Sequence, residues 1–322
     1  MARGQRVNGK ARRFAPAEAL PPGRAIAVRS KDGTRLHAEV FGPEDGYPIV
    51  LAHGITCAIR VWAYQIADLA KDHRVIAFDH RGHGRSAVPR RRRSYTLEHL
   101  AADLDSVLEA TLESGERAVI AGHSMGGIAI TSWADRYPER VSQRADGVAL
   151  INTTTGDLLR NVKLLPVPAR FADARVRAAG SVLKTFGAAP LLRAVDRPSR
   201  RFVSMVAVGR DADPAVHEFI YQLFVSSPAA GRGGWARTLV DALGPEHIGL
   251  QNLTVPTLVI GSEKDRLLPM VSSRRIARTA PNLAQFVELS AGHCAIVERP
   301  REVNNHLRLL IESVRQERRA TS

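Results

Sequence analysis

The sequence predicts an α/β protein: a mostly parallel central sheet flanked by helices and interrupted by a helical insertion. Three observations carry that expectation. From about residue 25, short β-type runs bounded by turn residues alternate with helix-length segments, as in parallel strands joined by crossover helices. The alternation stops over 157–245, where helical spacing continues without a turn-bounded strand, and resumes near 256. Finally, one strand runs straight into Gly122-His-Ser-Met-Gly-Gly127, a serine between small residues at a strand-to-helix junction. The expected organisation is a flexible basic extension over 1–24, a core from 25–156 and 246–322, and a helical lid over 157–245.

Taken in order, Ile26–Arg29 and Arg35–Phe41 flank Lys31-Asp32-Gly33, a hairpin turn signal. Pro48–His53 is a continuous apolar run suited to a buried strand, and a helix is expected near 60–71. Arg74–Asp79 is the next strand, followed by the loop Asp79-His-Arg-Gly-His-Gly-Arg-Ser86. Leu97, Leu100, Leu104, Val107 and Leu108 recur at helical spacing within 96–113. Arg117–Gly122 is a strand, the segment to about Arg136 a helix, and Gly147–Asn152 a further strand. Pro256–Gly261 and Ala284–Leu289 complete the sheet, and a helix over about 300–316 closes the chain. The insertion carries apolar clusters at Leu158-Leu159, Leu164-Leu165, Phe171, Leu183, Phe186, Leu191-Leu192, Phe202, Met205 and Phe219–Val225. Most of these suit the core of the insertion itself; the remainder could line a pocket mouth.

Composition narrows the function classes. The chain has 322 residues, 44% hydrophobic and 24% charged, ordinary for a globular protein and unlike a disordered, collagen-like or disulfide-framed chain. The net charge of +14 comes from 46 basic and 32 acidic residues. Such a balance attracts anions, yet no zinc-finger spacing or aromatic-interleaved RNA-binding signature accompanies it, so no nucleic-acid partner is expected. Arg90 to Arg93 reads most simply as a solvated loop; a docking patch for anionic lipid or an acidic carrier is the alternative. Two cysteines, Cys57 and Cys294, point to a reducing compartment and read as buried thiols rather than a redox switch. Arg12-Arg13 is followed by Glu18 and prolines, not by the apolar run of an export signal. The expected location is cytoplasmic, with weak contact between the basic N-terminus and an anionic membrane surface.

The serine motif fits a nucleophile elbow, G-x-S-x-G, in which Gly122 and Gly126 let the chain turn sharply and expose Ser124. Serine needs a general base held by a third group. His293, just after the last strand, is the candidate base, and Asp265, just after the preceding strand, the candidate acid. All three then emerge at the carboxyl edge of the sheet, where open α/β sheets place their sites. Asp265 could instead cap the following helix, and Asp157 is the fallback acid. Oxyanion donors are expected from the backbone N–H of Met125 and, after the His53-Gly54 turn, of Ile55. His80 and His83 lack zinc-type partners, and no metal or cofactor is expected.

Together, in order, His53-Gly54, Asp79–Ser86, Gly122–Gly127, the Gly261…Asp265…Pro269 turn and Gly292-His293 resemble the α/β-hydrolase fold family over roughly 25–316. The resemblance implies a Ser-His-Asp hydrolase with a lid, no cofactor, and the Asp79–Ser86 loop as a brace beside the site. It implies a small-molecule ester substrate, here a lipophilic acyl ester, without naming it. Carbon–carbon hydrolases, cofactor-free perhydrolases and acyltransferases share the pattern, and a non-enzymatic receptor with a fossil triad is the remaining alternative. Epoxide hydrolases and dehalogenases of the family carry Asp as nucleophile, and Ser124 argues against both.

Overall fold

The computed structural model describes residues 20–162, 172–188 and 196–321. β1 (Arg24–Arg29) and β2 (Arg35–Phe41) pair antiparallel across the predicted turn. Gly33 there adopts φ 83, and Asp32 accepts the Thr34 N–H at 3.0 Å. β3 (Tyr47–Ala52), β4 (His73–Asp79), β5 (Ala118–His123), β6 (Ala145–Ile151), β7 (Thr257–Ser262) and β8 (Leu283–Leu289) follow. All eight form one sheet, ordered β1-β2-β4-β3-β5-β6-β7-β8. β2 pairs antiparallel with β4, and every pair from β4 to β8 is parallel.

The winding direction reverses between β3 and β5, so their carboxyl ends open the crevice in which such sheets bind ligands. The central strands are apolar throughout because helices cover both faces. Val50 and Ala52 of β3 face one buried cluster, which contains Leu104, Trp133 and Trp235, and Ile49 and Leu51 face the other, with Trp62, Ile66 and Leu307. The helices Leu97–Thr111 and Met125–Arg136 lie on the first side, Ala63–Leu69 and Pro300–Thr321 on the second. Thr96 caps the first of these, its hydroxyl accepting the His99 N–H at 3.2 Å.

Several boundaries differ from expectation. The helix expected near 60–71 is a 3-10 turn, Ile59–Trp62, running into Ala63–Leu69. The closing helix continues to Thr321. The short helix Pro138–Arg144 lies outside the predicted elements, and the helix expected after Asp265 spans Met270–Thr279. β1 begins at Arg24, and Leu20 packs against the core; residues 1–19, most of the expected extension, lie outside the described residues.

Between β6 and β7 come the helices Leu158–Asn161, Ala172–Ala188, Asp196–Ala207, Pro214–Ser226 and Ala229–Ala242, with no strand among the described residues. Leu164, Leu165, Phe171, Leu191 and Leu192, and the side chain of Phe186, lie outside them. The last of these helices presses onto the core: a Cβ on Gly231 would sit 1.9 Å from the Gly82 carbonyl oxygen. Trp235 donates its indole N–H to the Arg81 carbonyl at 2.9 Å. Among the described residues, no helix is long and apolar enough to cross a membrane.

Candidate active site

β5 ends at His123 and the next helix starts at Met125, leaving Ser124 at φ 54, ψ −118. A non-glycine residue at positive φ costs about 1–3 kcal/mol and persists only where its surroundings hold it. Here the Ser124 N–H donates to the Ile151 carbonyl at 2.9 Å, and the Ser124 carbonyl accepts the Thr153 hydroxyl at 2.8 Å. The flanking glycines are required by close approach. A Cβ on Gly126 would lie 2.0 Å from the Ala52 carbonyl oxygen, and one on Gly122 would lie 2.4 Å from the Gly126 backbone.

The Ser124 hydroxyl meets His293 Nε2 at 2.9 Å, and His293 Nδ1 meets Asp265 Oδ2 at 2.8 Å. All three side chains are buried. Asp265 is itself anchored. Its Oδ1 accepts the N–H groups of Leu267 (2.9 Å) and Leu268 (2.8 Å), and its Oδ2 accepts the Asn152 amide at 3.0 Å. Its anchoring therefore comes from the turn ahead of the Met270–Thr279 helix, without capping that helix. Asp157, the fallback acid, stands apart: its Oδ2 lies 3.2 Å from His247 Nε2. It heads the Leu158–Asn161 helix in a left-handed conformation.

The His53-Gly54-Ile55 turn lies against the serine, since a Cβ on Gly54 would come within 3.1 Å of Ser124 Cβ. His53 Nδ1–H donates to the Gly54 carbonyl at 2.7 Å while its Nε2 accepts the His80 N–H at 3.1 Å. In a planar trans peptide, holding that carbonyl also aims the Ile55 N–H, which points the opposite way. Neither the Ile55 nor the Met125 N–H meets a protein acceptor among the described residues. The latter sits at the positive end of its helix.

The Asp79–Ser86 loop is a brace. Asp79 accepts the N–H groups of Ile59 (2.9 Å) and Arg85 (2.8 Å). Arg81 is fully buried and bonds Asp103 at 2.6 and 2.7 Å and Asp32 at 2.8 and 3.2 Å. Arg90 to Arg93 are exposed. Among the described residues, no group of three or more His, Cys, Asp or Glu side chains is placed to hold a metal ion.

Four imidazoles around the site are held neutral. Burial, followed by the neighbouring His293, brings His123 down to about 3, and burial, followed by His53, brings His83 to about 3. Burial likewise lowers His80 and His53. His123 donates Nε2–H to the His293 carbonyl at 2.8 Å, which supports the base from behind. Cys57 and Cys294 are buried free thiols on the wall of the site, and burial raises Cys57 to about 12.

Ser124 and His293 open into a cavity of about 120 Å³. Leu183, Phe202, Val206, Ile220, Phe224 and Leu267 make its far wall apolar. Arg232 also reaches that wall, donating to the carbonyls of Phe224 (3.2 Å) and Ser227 and lying over the Phe224 ring. Sequence reasoning did not single out Asn152, Thr153, Glu298 or Thr56. Asn152 could have been suspected, since it follows a strand at the same carboxyl edge as Ser124. Glu298 could not: it ties the base loop to the insertion by accepting the Gly292 N–H at 2.8 Å and the Gly209 N–H at 3.1 Å.

A serine in a sharp strand-to-helix elbow, hydrogen-bonded to a histidine that is itself bonded to an aspartate, thus lies at the switch point of a doubly wound α/β sheet. Residues 47–300 match the family model described as alpha/beta hydrolase fold, and the chain belongs to that family. It is 27% identical to bifunctional epoxide hydrolase 2 of Sus scrofa over 311 residues, 88% of this chain and 54% of that protein. The chain thus spans about half the length of that curated relative. It is 28% identical to the non-heme chloroperoxidase of Burkholderia pyrrocinia over 253 residues, 76% of this chain and 84% of that one. The crystal structure of the enol-lactonase from Burkholderia xenovorans superposes with a TM-score of 0.70 at 25% identity, covering 90% of this chain and 100% of that one.

Proposed function

We propose that this chain is a serine hydrolase of carboxylic esters, acting on a lipophilic acyl ester. The observation that carries the reading is the unbroken hydrogen-bond chain Ser124–His293–Asp265 opening into an apolar cavity. His293 Nε2 takes the hydroxyl proton as Ser124 Oγ attacks the ester carbonyl. Asp265 accepts Nδ1–H, which fixes the tautomer and stabilises the imidazolium. The N–H groups of Ile55 and Met125 hold the oxyanion. The imidazolium then protonates the leaving alcohol; water, deprotonated by the same nitrogen, releases the acid and restores Ser124.

The likeness to an enol-lactonase supports acyl chemistry. Similarity to an epoxide hydrolase does not carry its activity here, because a serine stands at the nucleophile position. A second reading, a cofactor-free perhydrolase, is favoured by the chloroperoxidase similarity: hydrogen peroxide would replace water in releasing the acyl group as a peracid. The helices between β6 and β7, which supply most of the far wall, are assigned the role of lid.

Hydrolysis of p-nitrophenyl esters across acyl lengths, with Ser124→Ala as the matched control, tests the reading. Turnover by the wild type and none by the variant is expected, with a preference for longer chains over acetyl. Labelling of Ser124 by a fluorophosphonate without turnover of any ester would move the perhydrolase, carbon–carbon hydrolase and acyltransferase readings forward.

A further inference from the structure

We propose that His83 is a positioning residue for the oxyanion loop, its Nε2 accepting the backbone N–H of Thr56 and so holding the Ile55 N–H on target; this rests on the reading of Ile55 as an oxyanion donor. Thr56 adopts φ 63. A β-branched residue in the left-handed region is a true outlier, because its Cβ crowds its own backbone. Something must hold it there, and the Thr56 N–H does donate to His83 Nε2, at 3.0 Å.

The ring offers that acceptor because its other nitrogen, Nδ1, faces the Arg81 carbonyl at 3.3 Å and carries the proton. The same carbonyl takes the Trp235 indole N–H, and the Arg81 side chain is bonded to both Asp103 and Asp32. His83 therefore stands on a rigid base. Its ring lies 5.3 Å from that of His53, which holds the Gly54 carbonyl on the other side of Ile55. The peptide carrying the Ile55 N–H is thus gripped at its own oxygen by one imidazole, and its successor at its N–H by the other. Burial keeps His83 neutral down to about pH 3, so the acceptor persists wherever esters are assayed.

The experiment compares His83→Ala with His83→Gln, whose amide oxygen can accept the Thr56 N–H in place of Nε2. Loss of a whole oxyanion donor costs about 10²–10³ in kcat, and misaiming one costs less. H83A is expected to lose about tenfold to hundredfold in kcat with KM nearly unchanged, and H83Q to recover most of it. Affinity for a trifluoromethyl ketone should fall in parallel with kcat/KM. Amide exchange at Thr56, read by hydrogen–deuterium exchange, should quicken in H83A and not in H83Q. Unchanged kcat and unchanged Thr56 exchange in H83A would overturn the proposal, as would a folded H83Q no better than H83A. A wild type inert on every ester overturns the ester reading alone; the exchange difference between the two variants still decides the role of His83.

Discussion

Asp265 shows how much of the site depends on single polar contacts. It accepts bonds from two backbone N–H groups, the Asn152 amide and His293 Nδ1. An ionised carboxylate suits that all-donor surrounding. Replacing it by asparagine would present an N–H to Nδ1 and favour the wrong imidazole tautomer. Asp265→Asn is therefore expected to lower kcat by about 10⁴, with KM little changed, in steady-state assays on the best ester. Asn152→Ala removes one of four donors and leaves the tautomer intact, so its cost should be about tenfold. A loss in N152A as large as that in D265N would mean that Asn152 does more than steady the acid.

At the scale of elements, the site exists because helices approach strands more closely than a side chain would permit. The Met125–Arg136 helix contacts β3 through Gly126, and the Ala229–Ala242 helix contacts the Asp79–Ser86 brace through Gly231. The neighbour in each case is a backbone carbonyl, which cannot swing away. Gly126→Ala should lift the nucleophile helix and cost about 1–3 kcal/mol or more, read from urea unfolding, with activity lost. Gly231→Ala should cost a similar amount and also lower kcat/KM by displacing the wall that carries Arg232 and Ala236. Wild-type stability in G231A would show that this helix is free to retreat from the core.

At the scale of the whole molecule, the buried imidazoles make folding sensitive to acid. His83 and His123 sit at about 3, and His53 and His80 are also lowered. Their ordinary value is about 6.5. Below that pH the unfolded chain binds protons that the folded chain refuses, so stability falls as pH drops, down towards 3. Each such imidazole removes up to about 1.4 kcal/mol per pH unit. Urea midpoints at pH 7.5, 6 and 5 should therefore descend steeply below 6.5, aided by self-repulsion from the net charge of +14. A flat series would mean that the histidines titrate freely in the folded state.

The residues alone carry one-dimensional information: apolar runs of strand and helix length, glycines around Ser124, and the order Ser, Asp, His along the chain. These set the fold class and named the side chains that meet, because periodicity and chain order follow directly from the residues. The short helix Pro138–Arg144 buries a single apolar side chain, Val141, and so leaves no period to read in the chain. The sequence prefers Asp265 with Asp157 as the fallback, since both follow strands; the tertiary structure decides between them, because the distance to His293 depends on how β6, β7 and β8 lie side by side. That structure also brings Asn152 to Asp265 across 113 residues and Thr56 to His83 across 27. Such contacts arise when the sheet closes and distant loops share one edge, and no local pattern in the chain records which loops those are.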